Sequence, residues 1–158
     1  MTAVLKTVQP KEAVDPIAEH VRSIIENLGE DATRGGLAAT PARYAKALRY
    51  LASGYAGDVA DAVGNGVFPA EGESPILVRD IQFYSLCEHH LLPFHGRMHV
   101  GYLPGRRIIG LSKIPRIVDL FARRFQVQER LTDQIADALA KVLEPRGVVV
   151  VAEAQHMC

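Results

Sequence analysis

The feature that most constrains this chain is a change of hydrophobic period along its length. From Ile76 to Tyr84, and again from Met98 to Tyr102, β-branched and aromatic residues alternate with polar ones, which predicts two strands joined by the segment 85–97. The period then becomes helical. Ile114, Ile117, Val118, Phe121 and Phe125 mark one amphipathic helix, and Leu131, Ile135, Leu139 and Val142 mark a second, closed by Pro145 to Gly147. Val148 to Ala154 is an apolar, β-rich run that reads as a buried strand leading into His156-Met157-Cys158. Upstream, Ile17, Val21, Ile24, Ile25 and Leu28 recur at helical spacing until Gly29 ends the helix. Thr40-Pro41 pairs an N-cap with proline at the first helical position and opens another helix through Tyr44, Ala47, Leu48 and Leu51. The segment 54–74 reads as a loop or short helix, and the first residues have no clear periodicity. The predicted class is α+β, one functional domain made of a flexible arm over 1–15, a helical region over 16–74 and a core over 75–158.

Bulk properties narrow the function. The 158 residues carry 18 basic and 18 acidic side chains, so no net field draws the protein to nucleic acid or a membrane surface, and any anion site has to be local. No apolar run reaches membrane-spanning length and the N-terminus lacks a secretory h-region, which leads to the expectation of a soluble cytoplasmic protein. Cys87 and Cys158 are the only cysteines, a poor disulfide framework for a domain with a real core, which leaves metal binding or inert burial.

Cys87-Glu88-His89-His90 packs one thiol and two imidazoles into a single turn, and Cys-x-x-His spacing lets both ends of that turn reach one metal ion. Cys158 is the natural third ligand. Three protein ligands leave the fourth position of zinc for water, the arrangement of a catalytic site. The residues alone leave a second reading open, in which both cysteines are simply buried and the histidines occupy a turn. Further along, Ser112 can cap a helix whose first turn contains Lys113, Pro115 and Arg116. Two cations at a positive helix end oppose the dipole, which makes sense with an anion in front of them; solvated surface charges are the alternative.

Phe83-Tyr84-Ser85-Leu86-Cys87-Glu88-His89-His90-Leu91-Leu92-Pro93-Phe94-His95-Gly96 resembles the signature segment of GTP cyclohydrolase I. Gly110-Leu111-Ser112-Lys113-Ile114-Pro115-Arg116 and Gln126-Val127-Gln128-Glu129-Arg130-Leu131 resemble two further signatures of that family, in the same order and at similar spacing. The resemblance extends to Thr40-Pro41-Ala42-Arg43 and to Glu153-Ala154-Gln155-His156-Met157-Cys158.

The resemblance implies a tunnelling-fold core with an antiparallel sheet, assembled as pentamers stacked into a homodecamer with active sites at subunit interfaces. It implies Zn2+ on Cys87, His90 and Cys158, with His89 and His156 as proton donors and acceptors, work suited to imidazoles titrating near neutrality. GTP would be opened at C8 with loss of formate and rearranged to 7,8-dihydroneopterin triphosphate, the first step of pterin and tetrahydrofolate biosynthesis. Lys113 and Arg116 would meet the triphosphate and Ser112 the ribose. Gln128 and Glu129 would read the guanine edge, Glu129 by accepting from its two donors and rejecting adenine. His95 and His99 read as ordinary strand residues. Family members continue past the position of Cys158 with an arginine that contacts the triphosphate, a final strand and a helix. That continuation is missing from this sequence, so a truncated zinc-binding or regulatory paralogue is the alternative reading. A zinc nucleobase deaminase is disfavoured, because neither cysteine belongs to a Pro-Cys-x-x-Cys element.

Overall fold

The structure, a computed structural model, describes residues 15–158. The predicted arm therefore lies outside the described residues apart from Asp15. The chain forms two compact units that divide between Leu48 and Arg49.

In the first unit, α1 (Pro16–Asn27) begins as its sequence dictates. The Asp15 carboxylate accepts the Ile17 N–H at 3.0 Å and proline takes the first position, where a missing N–H costs nothing. Leu28 caps the other end and Gly29 follows at φ 88°, a left-handed conformation that glycine adopts without strain. Ala18 and Val21 are buried, whereas Leu28 is 80% exposed, so only part of the apolar stripe is covered. Helix α2 (Thr40–Leu51) crosses the division. Thr40 is its first helical residue rather than its cap, and its hydroxyl donates to the Gly36 carbonyl at 3.5 Å.

The second unit bears out the α+β expectation. A 3-10 turn (Ser53–Tyr55) and α3 (Val59–Val63) precede β1 (Val67–Pro69), β2 (Ile76–Cys87), β3 (Pro93–Leu103) and β4 (Arg107–Ile109). Then come α4 (Lys113–Ala122), β5 (Phe125–Gln126), α5 (Gln128–Leu143) and β6 (Gly147–His156). Strands β1 and β4 form a small antiparallel pair, and the main sheet runs β5-β2-β3-β6.

Four expectations need correction. The sheet is mixed rather than antiparallel, because β5 runs parallel to β2, pairing Leu86 with Phe125 and Cys87 with Gln126. Phe125 accordingly leaves the helix that its spacing suggested. The Arg123 side chain bonds Asp119 and the Tyr50 hydroxyl, that of Arg124 donates to the Gly54 carbonyl, and the Tyr55 hydroxyl accepts the Phe125 N–H. These ties draw the chain off the helical path after Ala122. Strands β2 and β3 are also longer than predicted, and the connection contracts from 85–97 to 88–92, because alternate burial continues through Phe83, Ser85 and Cys87. Finally, β6 is covered on one face only: Val149 and Val151 are about half exposed, while Val150, Ala152 and Ala154 pack against the core.

A bulge places the chemistry. Asp80 sits at φ 61° where the β2–β3 register shifts between Val78 and Ile81. Beyond it, Ile81, Phe83, Ser85 and Cys87 all point to the face covered by α4 and α5. Phe83, Phe94, Met98 and Val100 meet Ile114, Ile117, Leu131, Ile135 and Leu139 there. Among the described residues no helix is long and apolar enough to cross a membrane.

Candidate active site

Cys87 is the last residue of β2, buried on the helix-facing side. The chain turns at once: the Leu91 N–H donates to the Cys87 carbonyl at 2.8 Å and the Cys87 N–H to the Leu92 carbonyl at 2.9 Å. Leu91 adopts φ 55°, an unusual conformation for a bulky side chain and one that the turn imposes. The turn is anchored laterally as well. The Glu88 N–H donates to the Gln126 carbonyl on β5, and the Glu88 carboxylate pairs with Arg130 of α5. The hydrogen bond from Arg130 holds the Glu88 carboxyl below the usual glutamate range, helped by the charges of Arg130 and His89. His89 and His90 project from the turn, their rings edge to face at 6.4 Å.

Strand β6 brings the other end of the sequence to this turn. Phe94 of β3 pairs with His156, and the Met157 N–H donates to the Pro93 carbonyl, carrying the pairing one residue past the strand. Residues of one parity share a face, so Ala152, Ala154 and His156 lie on the same side as Cys87. The ligating atoms of Cys87, His90 and Cys158 lie within 4.8 Å of one another. The donor set of two sulfurs and an imidazole suits zinc. Hydrogen bonding with Cys87, then burial, then repulsion from its charge push the Cys158 thiol above its ordinary value, and a bound cation would offset that cost.

His156 is held more closely than any other candidate. Its ring stacks on Phe94, with centroids 4.7 Å apart and planes 3° from parallel. Its Nε2 lies 2.9 Å from Gln128 Oε1 and its Nδ1 lies 3.7 Å from Cys158 Sγ. Gln128, the first residue of α5, also donates from Nε2 to the Ala152 carbonyl at 3.0 Å.

The structure thus gathers Cys87, His90, Cys158, His156 and Gln128, with His89 on the same turn. Ser112 occupies the cap position of α4, yet its side chain makes no capping hydrogen bond, because its backbone is already helical (φ −67°, ψ −14°) and holds the hydroxyl away from the amides. The stem of Lys113 lies against Gly66, so close that a Cβ there would come within 2.6 Å of its Cε. Arg116 and Glu129 are exposed. Among the described residues, no side-chain hydrogen bond links Ser112, Lys113, Arg116 or Glu129 to the cysteine and histidine cluster.

Sequence reasoning assigned no role to Phe94 or Gln126, and both support the cluster. Gln126 is buried; its Nε2 donates to the Phe121 carbonyl and to Gln134, while its Oε1 accepts from Arg130. Its one signal was a polar residue after a phenylalanine at helical spacing, which could not reveal three partners on two helices.

A sequence model of the GTP cyclohydrolase I family matches residues 17–158. The chain is 49% identical over 150 residues to the GTP cyclohydrolase 1 of Neurospora crassa, covering 95% of this chain and 48% of that protein. It is 51% identical over 148 residues to that of Gloeobacter violaceus (94% and 69%) and 56% identical over 137 residues to that of Deinococcus radiodurans (87% and 63%). It therefore spans from about half to about two thirds of the length of these relatives. Identity at this level over nearly the whole chain, joined to a Cys-His-Cys cluster assembled from the matched segments, means that the chain belongs to the GTP cyclohydrolase I family.

Proposed function

We propose that this chain carries a GTP cyclohydrolase I site, opening GTP at C8 with release of formate and rearrangement to 7,8-dihydroneopterin triphosphate. The carrying observation is that sulfur and nitrogen atoms of Cys87, His90 and Cys158, drawn from a hairpin turn and the end of β6, lie within 4.8 Å of one another. In this reading those residues hold zinc, which when bound supplies Lewis acidity and makes water acidic near neutral pH.

The remaining roles belong to the chain's own groups. His156 and His89 give and take protons during hydration, ring opening and formate loss. Free amides at the start of α4, with Lys113 and Arg116, receive the triphosphate, and Ser112 faces the ribose. Glu129 accepts from the guanine amino and ring N–H groups beside Gln128, discriminating against bases that leave its charge unpaired. The finer architecture proposed with this function is a tunnelling fold in a homodecamer with interfacial sites, working in the cytoplasm at the first step of pterin and tetrahydrofolate synthesis.

Incubating the purified chain with GTP tests the reading, by following fluorescent neopterin and formate with zinc measured in parallel. Stoichiometric formation of both from zinc-loaded protein is expected. Bound zinc without turnover would replace the proposal with that of a non-catalytic relative.

A further inference from the structure

The Ala152 carbonyl on β6 can only accept a hydrogen bond. The Gln128 side chain that meets it at 3.0 Å therefore presents its amide nitrogen there, which turns its oxygen the other way, 2.9 Å from His156 Nε2. An amide oxygen also only accepts, so that ring nitrogen carries a proton, and in the neutral imidazole Nδ1 is left bare. Nδ1 faces Cys158 Sγ at 3.7 Å. The assignment follows from a backbone carbonyl through an amide to a ring.

Two contacts divide the work of orienting this ring. The stack on buried Phe94 fixes its plane. Stacking is nonetheless indifferent to a half-turn of the imidazole, which would exchange Nε2 with a carbon. The hydrogen bond from Nε2 to Gln128, with the longer contact of Nδ1 to Cys158 Sγ, distinguishes the two orientations. Gln128 can do so because it opens α5 directly beside β6 and is anchored at Ala152, four residues before the ring it holds and on the same face of that strand.

We propose that Gln128 is a positioning residue that sets both the orientation and the tautomer of His156. Nε2 is then held as the donor to Gln128, and Nδ1 faces the Cys87, His90 and Cys158 cluster. The kinetic part of this inference rests on the proton-transfer role of His156 proposed above. The tautomer part stands on the hydrogen bonds alone. Gln128 thereby acts through His156, in addition to any contact with the nucleobase.

The test uses zinc-loaded protein labelled with 15N-histidine, comparing wild type with Gln128→Leu, and His156→Ala to assign the resonances. Long-range 1H–15N spectra of the wild type should show His156 as the Nε2–H tautomer. Gln128→Leu should lose that pure pattern. In turnover of GTP, Gln128→Leu should lower kcat about 10- to 100-fold, the usual effect of removing a partner that orients a site residue, with zinc content within about twofold of wild type. A Gln128→Leu spectrum identical to wild type would overturn the proposal, as would a raised KM with kcat intact. Should Gln128→Leu fail to fold, a wild-type His156 found as the Nδ1–H tautomer would overturn it equally. A wild type that folds, binds zinc and leaves GTP untouched would remove the proposed function, while the spectra would still decide the tautomer.

Discussion

The rings of Phe94 and His156 lie 4.7 Å apart and 3° from parallel, directly opposite each other in the ladder between β3 and β6. Phe94 in turn meets Phe83 edge to face at 5.9 Å. A group proposed to move protons therefore rests on the floor of the hydrophobic core. Packing, rather than a loop, sets where it stands.

Replacing Phe94 with alanine removes that floor. The fully buried ring should cost about 3–5 kcal/mol in urea unfolding. In protein still folded in buffer, the His156 ring should lose its upfield stacking shift. A stability loss without that spectral change would mean that the ring is held by Gln128 alone.

Gly96 pairs with Ala154 in the ladder between β3 and β6. A Cβ at that position would stand 1.8 Å from the Glu153 carbonyl oxygen, backbone that cannot move aside without parting β3 from β6. Gly96→Ala should therefore destabilise the chain by about 1–3 kcal/mol or more, and lower zinc content along with it, because Cys158 hangs from the same strand. Equilibrium unfolding with metal analysis on the same sample checks both effects together.

Gly66 leaves room for the stem of Lys113. Gly66→Ala should push that side chain from its bed, so that KM for GTP rises while zinc content stays at the wild-type level. The split between substrate affinity and metal content is the readout, since a general folding defect would lower both.

Metal should act as a brace between distant parts of the sequence. Chelation should lower the melting temperature, and zinc returned at a hundred times its Kd should restore about 2.7 kcal/mol. Cys158→Ala should abolish the zinc-dependent increment while leaving the metal-free protein close to wild type, because Cys158 itself is exposed. Differential scanning calorimetry with and without zinc gives both values.

The candidate cluster was legible because its chemistry is local in composition. Cys87 and His90 share one turn, Cys158 is the one remaining thiol, and the flanking motifs carry a family resemblance. Helices α4 and α5 were legible because an apolar stripe of period 3.6 is a property of the chain itself, requiring only some surface to bury against. The proline and glycine that bound α1 are similarly local, acting through backbone conformation rather than contact.

Other features waited for the fold. Phe125 fits the helical spacing of Phe121, yet it belongs to a strand because Tyr55, Arg123 and Arg124 find partners that the spacing cannot name. The bulge at Asp80 decides which parity of β2 faces the helices, and so whether Cys87 points into the site or away from it. The bond from Gln128 to His156 exists only once α5 opens beside β6. The sequence by itself determined which residues have the chemistry and which segments have helical or alternating period. Register and packing decided which of them meet, because a slip of one residue along a strand reverses every side chain.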